Sequence, residues 1–130
     1  MGQPAAKQGD RITALDTHQV VVPGTPPTLL LRQHKFNGVI NKKLSDNVRI
    51  NGQCAAMLDS TADNEPHFPT APGTSFARQP GNLGTIKSGS GSVRINRRAA
   101  ARDGDMAVTC NDPADLPVGT VVASGNVRIG

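Results

Sequence analysis

The chain has 130 residues, which fits one domain, and it contains 14 glycines and 10 prolines but only three aromatic residues, all phenylalanine. Frequent glycine and proline exclude long helices, and the scarcity of rings excludes a nucleic-acid platform built on base stacking. The formal net charge of +4 comes without a long basic run, so we expect no specific nucleic-acid partner. Because large side chains are few, we expect a source of stability other than a large apolar core.

The first ten residues are small and polar, and no apolar stretch approaches the roughly 20 residues of a membrane-spanning helix. We therefore predict a soluble protein that is made in the cytoplasm without a signal peptide. The chain has two cysteines, Cys54 and Cys110. A disulfide framework would normally use more, so the sequence indicates a reducing compartment and a cysteine free to bind metal.

In chain order, the first recurring element is at residues 4–10, which read PAAKQGD. Residues 47–51 (NVRIN) alternate apolar and polar side chains, as in a β-strand, and residues 52–59 (GQCAAMLD) follow them. The same order returns at residues 92–96 (SVRIN) and 97–105 (RRAAARDGD). A third strand of this type, NVRIG, ends the chain.

These copies predict three repeats in a circularly shifted order, because the chain starts within a repeat and ends on the strand that would precede it. The Ala-Ala pairs at matched positions predict a close approach of three backbones. We divide a single domain, residues 1–130, into repeats of about 4–44, 45–91 and 92–130, with a long proline-rich loop at 61–83. Chance recurrence of such short patterns is the competing explanation.

Short β-type runs at residues 84–87 and 120–122 are each followed by a turn-rich segment and a V-x-I strand. We predict that each run forms a hairpin with the V-x-I strand that follows it. Since no segment has a convincing helical pattern, the predicted fold is all-β.

The histidines and one cysteine fall at related places in the repeats. His18, His67 and Cys110 each follow the Ala-Ala element of their repeat, and His34 is an additional histidine in the first repeat. Three imidazoles and one thiolate form a closed tetrahedral set that suits structural zinc, one ion per chain. Spacing alone is weak support, since an isolated histidine in a polar loop is commonly just solvated.

The repeated PAAK, CAAM and AAAR elements, the strand-turn VRING at residues 48–52 and the Gly-Asp pairs resemble the PAAR-repeat proteins, which form the spike tips of contractile injection systems. The resemblance extends over essentially the whole chain. It implies a small β cone with threefold pseudo-symmetry and short hairpins, and an apex pinned by zinc. It also implies that the ligands are His18 and His34 from the first repeat, His67 from the second and Cys110 from the third.

The same resemblance implies a structural role rather than an enzymatic one. The base of the cone would cap a homotrimeric β-helical spike of the valine-glycine-repeat type, and the apex would contact the target cell envelope transiently on firing. The protein itself would be a monomer at the tip of the assembled particle.

The second repeat departs from the pattern, because it lacks the arginine and the Gly-Asp pair and has Cys54 where proline is usual. We therefore expect a divergent branch, such as an extracellular or phage-tail-like system, with type VI secretion as the alternative class, and a small buried side chain at Cys54 that is not a ligand. Two alternatives remain. The chain is an adaptor that binds effector cargo through the 61–83 loop, or it is a hydrolase-type enzyme with Cys110 as nucleophile and a histidine as base.

Overall fold

The computed structural model describes residues 2–130, which form thirteen β-strands and no helix. The prediction of an all-β chain is therefore confirmed, and these residues contain no helix with the length and apolar character to span a membrane. The strands are β1 (Gln3–Pro4), β2 (Arg11–Val22), β3 (Thr28–Lys42), β4 (Arg49–Ile50), β5 (Gln53–Cys54), β6 (Thr61–Asp63), β7 (Ser75–Phe76), β8 (Leu83–Ile86), β9 (Arg94–Ile95), β10 (Arg98–Ala99), β11 (Met106–Thr109), β12 (Leu116–Val122) and β13 (Arg128–Ile129).

Six of these strands form a closed antiparallel sheet in the order β12, β11, β8, β6, β3, β2, with β2 pairing back onto β12. Strand β7 adds to the far part of β2, where Val20 lies opposite Phe76. Closure pairs the sheet edges and leaves an interior just wide enough to be filled by side chains. That interior is a small apolar core, whose largest members are Ile12, Phe36, Ile40, Ile86 and Val121.

Strands β2 and β3 form one long hairpin in unbroken register from Arg11 opposite Val39 to Val22 opposite Thr28. Side chains alternate between the two faces of a strand, so the buried positions of β2 recur at every second residue. Near the start of β2 these positions are apolar, but further along they are Asp16 and His18. Asp16 lies directly opposite His34 on β3. The long hairpin therefore carries polar groups into the interior at one end of the closed sheet.

Three short antiparallel strand pairs lie at the other end of the closed sheet (the hairpin end), where β2 and β11 begin and β3, β8 and β12 end. Two of them are hairpins, β4 with β5 and β9 with β10, and the third pairs the last strand, β13, with the first, β1. Each buries one isoleucine of its V-x-I sequence to the same degree, 6 % exposed at Ile50, Ile95 and Ile129. The three strand pairs thus use the repeated sequence in the same way, whereas threefold pseudo-symmetry of the whole chain stays a prediction.

Three alanines join these strand pairs through their backbones. The amide of Ala6 donates to the carbonyl of Ala101 at 2.9 Å, and that of Ala56 to Ala6 at 3.0 Å. The amide of Ala101 closes the circle by donating to Ala56 at 3.2 Å. All three side chains are fully buried. This alanine ring confirms the predicted close approach of three backbones at the Ala-Ala pairs.

The predicted hairpin partners were wrong. Strand β8 pairs with β6 and β11, and β12 pairs with β11 and β2, so neither pairs with the V-x-I strand that follows it. The V-x-I strands of β4 and β9 instead turn back at once, through two residues with positive φ: Asn51 (50°) and Gly52 (81°) in one hairpin, Asn96 (51°) and Arg97 (69°) in the other. Positive φ at both turn residues defines the tight type I′ hairpin, for which Asn-Gly is a strong signal.

The segment predicted as a loop at residues 61–83 contains regular structure. It begins with β6, which lies between β3 and β8 in the closed sheet, and it contains β7, which pairs with β2. The remainder of the segment is irregular and carries His67.

Candidate metal centre

The four predicted ligands come from four different parts of the fold. His18 lies on β2 and His34 on β3, His67 lies between β6 and β7, and Cys110 directly follows β11. All four are buried, with exposed fractions of 0, 8, 9 and 4 %. The three imidazole centroids lie 5.2 to 5.6 Å from one another. Residues far apart in the sequence therefore meet in one interior cluster.

The tightest group in this cluster contains a residue that the sequence did not suggest. One ligand atom each from Asp16, His18, His67 and Cys110 lie within 4.8 Å of one another. Around a tetrahedral zinc ion, neighbouring ligand atoms are about 3.3–3.8 Å apart, so a small contraction would close this group on a metal. The group could hold a metal ion, and its geometry does not identify which one.

Asp16 is fully buried and contacts three polar groups. Its Oδ1 accepts a hydrogen bond from the Thr109 hydroxyl at 2.5 Å. Its Oδ2 lies 3.2 Å from Nε2 of His67 and 3.3 Å from Sγ of Cys110. The period of two along β2 was the available signal, because it puts Asp16 and His18 on the same inward face.

His34 lies beside the Asp16 group, and both its ring nitrogens already have partners. Its Nδ1 lies 3.2 Å from the carbonyl oxygen of Arg32, and its Nε2 lies 3.0 Å from the hydroxyl of Thr70. Because a carbonyl can only accept, the proton of a neutral His34 belongs on Nδ1, and Nε2 then accepts from Thr70. If a metal ion took the place of the Thr70 hydroxyl at Nε2, His34 would become a ligand.

His18 is in the opposite situation. Within residues 2–130 neither of its ring nitrogens has a hydrogen-bond partner, although the residue is fully buried. The nearest carboxylate oxygen, Oδ2 of Asp112, is 3.5 Å from Nδ1, an electrostatic contact rather than a good hydrogen bond. Buried polar atoms without partners are costly, so the environment of His18 fits a ligand that is bound in the functional protein.

Burial dominates the electrostatics of the centre. Desolvation lowers the pKa of His18, although Asp112 works against that shift. Desolvation, with the nearby Asp16 carboxylate, raises the pKa of the Cys110 thiol to about 12. These shifts favour a neutral His18 imidazole and a protonated Cys110 thiol, so a metal ion would have to displace the thiol proton on binding.

Phenylalanine side chains cover part of the cluster. The Phe76 ring lies edge-on to His18 and tilted on His34, with centroids 5.8 and 5.4 Å apart, and Phe36 approaches His67 from the apolar core at 6.5 Å. An apolar cover of this kind restricts water and strengthens electrostatic interactions at the centre. Phe68, next to His67, is instead 79 % exposed.

The sequence matches no known protein-family model and no curated protein. The interpretation of the centre therefore depends on its geometry and on the repeated sequence elements.

Proposed function

We propose that this protein is the structural tip of a contractile injection machine, capping a homotrimeric β-helical spike. The observation that supports the proposal most directly is the structural difference between the two ends of the closed sheet. One end gathers three similar strand pairs around the alanine ring, and the other end gathers buried side chains that could hold a metal ion. A single chain with three similar strand pairs can dock on a threefold partner without a mismatch in symmetry.

The metal of this proposal is one structural zinc ion per chain. His18, His67 and Cys110 would hold it, with His34 as the fourth ligand once its bond to Thr70 is exchanged. In this arrangement Asp16 would orient the His67 ring through Nε2 instead of binding the ion. Nitrogen and thiolate donors favour zinc over magnesium or calcium, and four filled positions leave none for a substrate water. The ion supplies folding free energy at an end of the molecule where the interior is polar.

The hairpin end would face the spike. The middle residue of every V-x-I strand is arginine, and Arg49, Arg94 and Arg128 are all exposed. Within residues 2–130 none of the three pairs with a carboxylate. Each instead donates to a backbone carbonyl beside its own strand pair, of Gly52, Arg97 and Gly2 respectively. Exposed arginines with unused donors suit an interface with acidic groups or backbone carbonyls.

An enzyme with a cysteine nucleophile is the competing proposal, and the environment of Cys110 argues against it. A nucleophilic cysteine needs a lowered pKa, and burial raises that of Cys110 to about 12. The cysteine is also only 4 % exposed. Rapid alkylation of Cys110 in zinc-loaded protein would favour the enzyme, since a metal-bound, buried thiolate reacts slowly.

A cargo adaptor is the second competitor, and the exposed Phe68 is the observation that favours it. A large apolar side chain that is 79 % exposed, in the irregular segment between β6 and β7, is a plausible contact for another protein. Co-purification of an effector that is lost in Phe68→Ser would support an adaptor role in addition to the structural one.

The test combines elemental analysis with binding. Purified full-length protein is assayed for zinc and then for capture by a recombinant trimeric valine-glycine-repeat spike whose gene neighbours that of this chain. We expect one zinc per chain and a complex of one chain with one spike trimer. Folded protein without a transition metal would overturn the metal centre, and failure to bind the spike would overturn the tip function.

A further inference from the structure

Each imidazole of the centre has an oxygen acceptor beside one of its two ring nitrogens. For His67 it is Asp16, and for His34 it is the Arg32 carbonyl, both at 3.2 Å. For His18 it is Asp112, at 3.5 Å. Metal-binding histidines nearly always donate their second N–H to such an acceptor, which fixes the position of the ring proton. The surroundings of all three rings therefore follow the pattern of a metal site.

Asp112 is held in position by groups that do not belong to the centre. Its Oδ2 accepts the backbone N–H of Gln19 at 2.7 Å, and its Oδ1 accepts Nε–H of Arg78 at 3.0 Å. The Asp112 side chain is only 4 % exposed, whereas that of Arg78 is 55 % exposed. The carboxylate thus has a fixed orientation toward His18. Arg78 helps to fix it from the surface of the molecule.

Within residues 2–130, His18 makes no hydrogen bond that would determine which nitrogen carries the proton. Nδ1 faces Asp112, which as a carboxylate accepts and does not donate, and Nε2 has no hydrogen-bond partner within residues 2–130. A proton on Nδ1 would meet an acceptor, whereas a proton on Nε2 would be buried without one. The geometry favours the Nδ1–H form, which leaves the lone pair of Nε2 free.

We propose that Asp112 is a positioning residue, which keeps the proton of His18 on Nδ1 and so presents Nε2 to the metal, while Arg78 holds Asp112 in place. This inference rests on the metal centre of the proposed function. It adds two residues that would not bind the metal themselves. Both would act on the metal centre through His18.

The test is Asp112→Asn in the full-length protein, with Arg78→Gln as a milder second variant. An asparagine has one side-chain oxygen, and its amide can turn a donor toward His18. We expect zinc affinity, measured by competition with a chelator, to fall about 10- to 100-fold in Asp112→Asn and less in Arg78→Gln. Side-chain ¹⁵N NMR of metal-free protein should show the His18 proton on Nδ1 in the wild type and on Nε2 in Asp112→Asn.

Asp63→Asn is the matched control, because it removes the same charge from a carboxylate that binds Lys42 and Asn41 at the surface. It should leave zinc affinity and the His18 proton unchanged. Wild-type zinc affinity in Asp112→Asn, or a proton on Nε2 in the wild type, would overturn the role of Asp112 and leave the metal centre standing. A wild-type chain that binds no zinc would instead overturn the metal centre on which the role depends.

Discussion

The two ends of the closed sheet are stabilised in different ways. At the hairpin end, backbone hydrogen bonds close the alanine ring, and the side chains at its centre are no larger than a methyl group. At the other end, which carries the candidate metal centre and is called the metal end below, the interior is filled by imidazoles, a thiol and carboxylates. Among residues 2–130, His18 alone has buried side-chain nitrogen or oxygen atoms without a hydrogen-bond partner, and it lies at this second end. The hairpin end is therefore held by hydrogen bonds within the chain, whereas the metal end has the side chains to hold an ion.

The largest expected effect follows from removing a ligand at the metal end. His67→Ala should abolish tight zinc binding, because it removes one donor and also the partner of Asp16. At free zinc 1,000-fold above the dissociation constant, the loss in unfolding free energy would be about 4 kcal/mol. For a chain of this length that is a fall in melting temperature of roughly 10–20 °C. Zinc content and thermal unfolding provide the measurement.

Cys54→Ala is the matched control for that prediction. Cys54 is half-buried on β5, paired with Arg49 and away from the metal end, so its replacement should cost less than about 1 kcal/mol and leave the zinc in place. A chelator should lower the melting temperature of the wild type and of Cys54→Ala alike, and leave His67→Ala unchanged. Similar melting losses for the two variants would contradict the assignment of the two cysteines and of His67.

The two ends also differ in how much of their structure the sequence could predict. The V-x-I strands and Ala-Ala pairs recur at matched positions, so an all-β fold and the alanine ring were accessible from the pattern alone. The strand partners were not, because the turn-rich segments before the V-x-I strands and the tight two-residue turn at Asn51-Gly52 both predict hairpins, and only the second type forms. Strand order in the closed sheet depends on contacts between distant segments, which a local pattern does not encode.

For a related reason, the sequence could predict the metal end only in part. Histidines and Cys110 are rare enough to stand out as candidates, and all four candidates meet in the interior. Asp16 and Asp112 did not stand out among the 10 acidic residues of the chain. Their roles depend on burial, of Asp16 beside His67 and of Asp112 beside His18. That burial results from the pairing of β2 with β3 and from the path of the chain after β11.

We expect an intermediate loss of stability when a larger side chain is placed in the alanine ring. Ala56→Val adds two methyl groups where three backbones meet and the side chain is fully buried. Overpacking of this kind costs about 1–3 kcal/mol. Zinc content should stay at the wild-type value, since the ring lies at the end of the closed sheet away from the candidate metal centre. Chemical denaturation and elemental analysis on the same sample test both statements.

Ala77→Val is the control for the alanine ring, because Ala77 is exposed next to β7 and has room for a larger side chain. It should change the free energy of unfolding by less than about 0.5 kcal/mol. If Ala56→Val is equally mild, the ring is less tightly packed than its hydrogen bonds indicate. If Ala56→Val loses zinc, the two ends are coupled and the comparison between them fails.

The smallest effect on stability, and the most informative one on function, is expected from the hairpin arginines. Replacing Arg49, Arg94 and Arg128 together by glutamine removes three exposed charges that pair with no carboxylate in residues 2–130. Stability should change by less than about 0.5 kcal/mol per site. Association with the trimeric spike should slow by roughly tenfold at low salt, because exposed charges act mainly on the rate of encounter.

The matched pair of single variants is Arg94→Gln at the hairpin end and Lys35→Gln on the wall of the closed sheet, midway along β3. Both single variants have the same net charge, so a general attraction to an acidic spike would slow both equally. If the hairpin end is the docking surface, only the hairpin variant loses affinity, and its binding depends less on salt than that of the wild type. Equal losses would move the interface away from the hairpins, and a greater loss in the wall variant would assign docking to the side of the molecule. Because neither variant touches the buried centre, zinc content should be the same in both, and any loss of spike binding is then separate from loss of the metal.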